Sequence, residues 1–344
     1  MKEVKIGLVG LGVLGTLHLA ELQYKVPGAR VIAICARTQE TVKKMQEKFD
    51  VPYGYTEYDE MLKNPELNAV VIVSPVSYHK EHCIKAAEAG LHIFCEKPLA
   101  MTVEDCHAVE RAVEKNKGKV FQLGFMRRSD PSYVEAKRRI DAGEIGDVVM
   151  YKGTCLDAAS CLPYHMKGVE TGKYAPFFYE AGSHDADMVN WYINSEVESV
   201  FSVGGAYVEQ GLAEYNDYDN AMSLVRFKNG ACALIHVGRM HNCNQVTSEI
   251  IGTKGTIRVN DTPKIDRLEL FYGKEEGYER IPMEQTYQDR FRESFLIEKQ
   301  TFIDCIHGLA TPPSTVYDGA KSLRLVELMH RSYVERREVK ADED

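Results

Sequence analysis

The chain has no apolar run near the ~20 residues needed to cross a bilayer, which excludes a membrane-spanning helix. It also lacks a basic excess. Forty-two Lys and Arg stand against 51 Asp and Glu, and the net charge of -9 offers no stripe to displace counterions from phosphates, so no nucleic acid partner is expected. The nine cysteines include no CxxC pair and no regular spacing. Cys35, Cys95 and Cys232 lie in strand-like runs and read as small buried hydrophobes in a reducing cytoplasm, not as a disulfide framework or a zinc site. No other metal constellation stands out. There is no internal repeat and no low-complexity tract, and the opening "MKEVKIGLVGLG" reads as a strand and a turn, not as a signal peptide. What remains is 44% hydrophobic and 27% charged over 344 residues, the balance of a soluble globular chain with room for two domains.

The first third alternates apolar strands with amphipathic helices. A strand over Val4 to Val9 runs into Gly10-Leu-Gly12-Val-Leu-Gly15, and a helix opens from Thr16 to Tyr24. This is GxGxxG in the context that gives it meaning, strand to turn to helix, with Val13 and Leu14 carried in the same turn. Helix-terminal amides there favour a pyrophosphate. The next strand, Arg30 to Cys35, is followed by "ARTQE", with no acid before Glu40 to bind an adenosine ribose. Arg37 and Thr38 stand where a 2'-phosphate would be read, which favours NADP over NAD while leaving a cofactor-tolerant site open. Helix 39–48, strand 70–73, helix 79–89, strand 91–95 and strand 120–123 continue the alternation and predict a doubly wound parallel sheet, a Rossmann-type domain over residues 1–124. Ligands of such sheets lie beyond the carboxyl ends of the strands. That places Ser74, Pro75, His79, Glu96 and Lys97 among the candidate cofactor contacts.

Glu96 and Lys97, in "IFCEKPLA", pose a question of their own. Two charges directly follow a buried strand, and either they reach water or they reach a site. After Gly124 the pattern changes to helix 131–141 and long alternating runs at 147–155, 197–208, 219–227, 231–238 and 267–273. Asn229-Gly230 forms a hairpin turn and Gly252 to Gly255 closes another. This predicts an α+β domain over 125–344 with a large, mostly antiparallel open sheet. One face packs on helices such as 293–307 and 318–332, and the other is covered by a second subunit. The terminal "VERREVKADED" reads as a frayed polar tail. Within "FFYEAGSHDADMVNW", Phe177 to Trp191, Glu180 and His184 are four apart and share a face if helical, a carboxylate–imidazole pair suited to general-base work. Arg127 either reaches the substrate or pyrophosphate or begins a solvated helix. Tyr164 and His165 fall in an irregular stretch that could line a pocket mouth. His236 and His241 read as structural or cofactor-adjacent.

The openings "GLGVLGTLH" at Gly10, "EKP" at Glu96 to Pro98, "GFMRR" at Gly124 to Arg128 and "GEIG" at Gly143 to Gly146 together resemble the glucose–fructose oxidoreductase / inositol dehydrogenase family (Gfo/Idh/MocA) over nearly the whole chain. "GFMRR" is similar to its inositol 2-dehydrogenase branch. The resemblance implies that Lys97 meets the substrate hydroxyl beside the nicotinamide, that the Lys97–Pro98 peptide is often cis, and that His184 is the histidine of a DxxxH motif. Here Glu180 replaces the usual aspartate, and Ala175-Pro176 replaces a Gly-Gly. By the same likeness Asp157 and Asn244 fall where substrate-binding side chains lie. The activity so implied is NAD(P)-dependent oxidation of a secondary hydroxyl of a cyclic polyol, myo- or scyllo-inositol, by a homodimer or homotetramer. His184 would be the base, Lys97 the donor to the reacting oxygen, and Glu180 would orient one or both, with all three, like Arg127, also counted among the substrate-binding residues. A pyranose or glycoside dehydrogenase is the alternative among enzymes, and a non-catalytic sugar sensor the alternative of another class.

Overall fold

The structure is a computed structural model that describes residues 2–172, 174–241, 244–259, 266–271, 278–282 and 287–343. The first domain begins with β1 (Val4–Val9), α1 (Val13–Tyr24), β2 (Ala29–Cys35), α2 (Gln39–Phe49), β3 (Tyr53–Tyr55) and α3 (Tyr58–Leu62). It continues with β4 (Ala69–Ile72), α4 (His79–Glu88), β5 (His92–Glu96), α5 (Val103–Lys115) and β6 (Phe121–Gly124). The six strands pair in parallel in the order β3-β2-β1-β4-β5-β6. Strands this apolar must be covered on both faces, and two buried clusters lie there, one around Ile6, Leu8 and Val71 and one around Val70, Ile72 and Ile93. Strand order reverses between β1 and β4, so the crevice that accepts a ligand opens beside Gly10 and Ser74.

The second domain holds α6 (Pro131–Asp141), β7 (Val148–Ala158), α7 (Leu162–Glu170), α8 (Ser183–Ile193), β8 (Val197–Gly205), β9 (Asn220–Phe227), β10 (Cys232–His241), β11 (Gln245–Gly252) and β12 (Thr256–Val259). β13 (Asp266–Phe271) and β14 (Tyr278–Pro282) form a separate hairpin. Then come α9 (Tyr287–Arg290), α10 (Arg292–Ile306), α11 (Val316–Glu335) and β15 (Val339–Lys340). The large sheet runs β12-β11-β7-β10-β9-β8-β15, antiparallel throughout except for the parallel pair β7–β10. Alternation along β9 sends Ala221, Ser223, Val225 and Phe227 inward and leaves Met222 and Leu224 outside. The inner face packs on α8 and α11. The outer face carries an uncovered apolar patch in which Phe201 pairs across strands with Leu224, and Val203 with Met222.

Three expectations need correction. The C-terminal tail is not frayed at its start: Val339 is fully buried, and β15 adds a strand to the edge at β8. Tyr164 and His165, expected in an irregular stretch, lie on α7, which Pro163 opens from a position where its missing N–H costs nothing. The C-terminal helices also belong to both halves. Phe302 and Ile303 of α10 join the first domain's core, as do Val316, Ala320 and Leu323 of α11, so the chain divides less cleanly at Gly124 than its pattern suggested. Among the described residues no helix is long and apolar enough to cross a membrane.

Candidate active site

The glycine turn is shaped by three different constraints. Gly10 has φ +97, and a Cβ there would lie 2.5 Å from the Val73 carbonyl. A Cβ on Gly15 would stand 1.9 Å from the Gly10 oxygen, so helix and turn touch backbone to backbone. A Cβ on Gly12 meets nothing within 4 Å, and Gly12, at the N-cap of α1, makes no side-chain capping bond. The first amides of α1 therefore face an open cradle, which fits a dinucleotide pyrophosphate. Val13 is 77% exposed at its rim, whereas Leu14 packs against the second domain's core. Arg37 is exposed beyond β2, and the Thr38 hydroxyl caps α2 by accepting from Thr41 N at 3.3 Å. The loop after β4 is held from behind. The Ser74 hydroxyl meets His82 Nδ1 at 3.0 Å, and Pro75 starts the short turn that leads into α4.

The two charges of "EKP" part company. Glu96 is 4% exposed and turns inward, where its Oε1 meets His18 Nε2 of α1 at 2.8 Å. Burial opposes its ionisation, but His18, Lys97 and Lys299 overcome that and hold the carboxyl below its ordinary range. Glu96 is thus an internal anchor for the cofactor helix, not the direct cofactor contact expected. His79 likewise has both ring nitrogens on main-chain oxygens, Pro98 O at 2.8 Å and Ser74 O at 2.7 Å, and it joins the two strand-end loops behind the cleft. The Lys97–Pro98 peptide is cis. Lys97 extends into the cleft, and its Nζ donates to the main-chain oxygen of Glu180 at 2.9 Å.

The stretch around Glu180 departs from the helical pattern assumed for it. Residues Phe178–Gly182 form a π turn that leads into α8, so the four-residue spacing does not stack Glu180 on His184. The Glu180 carboxylate instead lies 2.9 Å from Arg239 Nη2 and 3.3 Å from His165 Nδ1. Burial raises its pKa, but Arg239, His165 and Lys97 more than reverse this and keep it ionised. His184 makes no hydrogen bond to any described residue, and its Nδ1 is wholly buried. Burial first, then the nearby cations Lys97 and Arg127, hold its pKa well below the ordinary value. A neutral imidazole can accept a proton.

The other candidates are engaged by neighbouring groups of the protein. Arg127 is 1% exposed and ion-paired to Asp185 at 3.0 Å. Asn244 accepts from Ala158 N at 2.9 Å and ties β7 to the start of β11. Asp157 accepts from Arg239 Nε at 3.1 Å. His236 meets Asn220 Oδ1 at 3.1 Å, and the side chain of His241 lies outside the described residues. Two participants escaped the sequence reading, Arg239 and Asp217. Arg239 left a signal, because Ala233, Ile235, Val237 and Arg239 alternate along β10 and the arginine takes the next inward position. Among the described residues no group of three or more His, Cys, Asp or Glu could hold a metal ion.

These placements define a class of protein: an oxidoreductase with a dinucleotide-binding parallel-sheet domain and a second, mostly antiparallel domain packed beside it. An oxidoreductase-family, NAD-binding Rossmann-fold domain matches residues 4–125, and a GFO/IDH/MocA C-terminal domain matches residues 133–258. The chain belongs to the Gfo/Idh/MocA oxidoreductase family. A scyllo-inositol 2-dehydrogenase (NAD(+)) of Bacillus subtilis (strain 168) is 32% identical over 324 residues, covering 94% of this chain and 92% of that protein. A myo-inositol 2-dehydrogenase of Thermotoga maritima is 30% identical over 344 residues, 99% of each. The crystal structure of a scyllo-inositol dehydrogenase from Lactobacillus casei, with bound NAD(H) and scyllo-inositol, superposes with a TM-score of 0.91 at 28% identity, over 99% of this chain and 100% of that one.

Proposed function

We propose that this chain is an NAD(P)-dependent dehydrogenase that oxidises a secondary hydroxyl of a cyclic polyol, with myo- or scyllo-inositol as the favoured substrate. The observation that carries the reading is that Lys97, which follows β5, and His184, at the start of α8, lie near enough for the ammonium to help hold the imidazole neutral. A nicotinamide dinucleotide bound at that cradle supplies the hydride acceptor. His184, neutral and without a hydrogen-bond partner among the described residues, takes the hydroxyl proton. Lys97 donates to the same oxygen and stabilises the alkoxide charge that develops there, and the Glu180 main-chain oxygen holds its ammonium in place. The named relatives act on inositols, which supports that ring as substrate.

Arg37 and the lack of an acid between the end of β2 and Glu40 favour NADP, although the Bacillus subtilis relative is named for NAD(+). Phe201, Val203, Met222 and Leu224, between 41% and 57% exposed on the open sheet face, support a homo-oligomer in which a second copy covers them. The described cysteines are all unpaired, which supports a reducing, cytoplasmic setting.

The test is the initial rate of nicotinamide reduction with NAD and with NADP, each offered myo-inositol, scyllo-inositol, glucose and an alkyl glucoside. Turnover of an inositol is expected. Turnover of the sugars alone would move the substrate to a pyranose, and tight cofactor binding with no turnover would favour the sensor.

A further inference from the structure

Five charged groups converge on the far side of the cleft from the glycine cradle, and the proposed chemistry uses none of their side chains. Asp217 is fully buried; its Oδ1 accepts from the amides of Phe177 at 2.9 Å and Tyr218 at 2.8 Å, and its Oδ2 meets His165 Nε2 at 2.7 Å. The other ring nitrogen of His165 faces Glu180 at 3.3 Å. Arg239 spans two carboxylates, Asp157 through Nε at 3.1 Å and Glu180 through Nη2 at 2.9 Å, with its guanidinium 4.3 Å from the centre of the Phe177 ring.

Exposure within this group is uneven, and that decides the inference. The side chains of His165 and Asp217 are 1% and 0% exposed and that of Arg239 is 6%, yet the Glu180 side chain is 39% exposed. A network so deeply buried costs several kcal/mol of desolvation per ion unless its geometry is well satisfied. Here Asp217 is satisfied by two amides and by His165, Arg239 is ion-paired to both Asp157 and Glu180, and the carboxylate that Arg239 and His165 hold between them faces the cleft. Both partners act on the same carboxylate oxygen, Oε2, which leaves Oε1 for a ligand. Arg239, neutralised by two acids, is not presented to an anionic substrate. The arrangement offers a fixed acceptor to an uncharged hydroxyl.

We propose that Arg239, braced by Asp157, and His165, braced by Asp217, are positioning residues. They hold the Glu180 carboxylate away from His184 and present it to a substrate hydroxyl other than the one being oxidised. The inference rests on the polyol-dehydrogenase reading and deepens it. Glu180 reads the ring, whereas His184 and Lys97 do the chemistry. The loss on disturbing the brace therefore falls on KM, not on the proton transfer.

The experiment compares steady-state kinetics of the full-length wild type, E180Q, R239M and R239K with the best polyol of the panel, across pH. Losing a hydrogen bond from a hydroxyl to a charged acceptor corresponds to roughly 10–100-fold in KM. E180Q and R239M are expected to raise KM by that order, with kcat within about threefold of wild type and the acid limb of kcat unmoved, and R239K to recover much of the KM. E180Q keeps the Arg239–Asp157 pair and so answers the question even where R239M folds poorly. A shifted acid limb in E180Q, or a loss confined to kcat, would mean that Glu180 acts through His184, and the inference falls. If the wild type turns over no polyol, the functional reading falls and this inference with it. If the wild type is active and R239K is no better than R239M, the inference alone is overturned.

Discussion

Gly12 is the position where structural and cofactor-binding demands separate most sharply. Its φ of -74 and ψ of -164 are open to any L-residue, and an added methyl meets nothing within 4 Å. Two small terms oppose each other in Gly12→Ala. A less flexible unfolded chain stabilises the fold by about 0.4–1 kcal/mol. Alanine is a poorer N-cap than glycine, and at the head of α1 this costs about 0.5–1 kcal/mol. The net change in the cofactor-free protein is therefore within about 0.5 kcal/mol of zero. Gly15→Ala is the contrasting case, because its Cβ would stand 1.9 Å from the Gly10 oxygen and the backbone must move.

The cofactor turns that neutrality into a loss. If the open volume over Gly12 receives the pyrophosphate, the methyl stands where the phosphate must approach the backbone. Thermal unfolding with and without NAD or NADP reads this directly. At 100 times its Kd a ligand adds about 2.7 kcal/mol of stability. Wild type should show that gain. Gly12→Ala should unfold like wild type without cofactor and gain less than about 0.5 kcal/mol with it, on the same scale. Gly15→Ala should already be destabilised without cofactor. If Gly12→Ala lost more than about 2 kcal/mol in the cofactor-free protein, or kept the full cofactor shift, the assignment of that volume would be wrong.

Two further outcomes follow from the buried charges. Because burial and the cations Lys97 and Arg127 hold His184 well below its ordinary pKa, the base is neutral at pH 6.5 and above, so kcat/KM for polyol oxidation should stay level down to that pH and fall only below it; an acid limb centred at pH 7 or higher would refute this. Arg128 donates to both oxygens of buried Asp187, at 2.9 and 2.7 Å, and to Asp318 at 2.9 Å, so Arg128→Ala should cost about 3–5 kcal/mol in urea unfolding at pH 8. Burial already pushes Asp187 up to about 6 despite Arg128, and its pKa rises further once the arginine is gone. A native carboxyl titrating above its unfolded value binds the extra proton in the folded state, so the variant gains stability as pH falls from 8 to 5. A deficit that stayed constant or grew at pH 5 would contradict this account of Asp187.

How much of this could be read from the chain depended on whether the information was local. The parallel domain was legible because each of its strands is a continuous apolar run and its glycine turn stands between strand and helix. The β9–β10 hairpin was legible from its alternation and from Asn229-Gly230, where Gly230 takes φ +86. The partners of charged residues were not legible. Arg127 and Arg128 look like the start of a solvated helix until α8 brings Asp185 and Asp187 against them from nearly sixty residues away. The spacing of Glu180 and His184 promised a shared face, but the rule holds only for a regular helix, and a π turn intervenes. Val339 sits among charges in a tail that reads as solvated, and only the vacant edge of β8 gives it a place to bury.

The pair Glu96 and Lys97 shows why the chemistry at a strand end can be anticipated while its geometry cannot. Successive residues of a strand point to opposite sides, so two adjacent charges at the end of β5 cannot share one environment. Glu96 falls on the side of α1 and joins a buried set with His18, Glu21 and Lys299, in which Glu21 and Lys299 pair at 3.0 Å. Glu298 beside them is pushed by burial, and by the charge of Glu96, well above its ordinary pKa, so a proton held there reduces the excess of buried carboxylate. That set fastens the helix whose first turn forms the glycine cradle to α10 at the other end of the chain. Lys97 falls on the opposite side, where the second domain closes the cleft. The same alternation that hides one charge under α1 therefore aims the other at the Glu180 main chain across the cleft, and a change at Glu96 should disturb Lys97 through their shared main chain even though their side chains meet different parts of the protein.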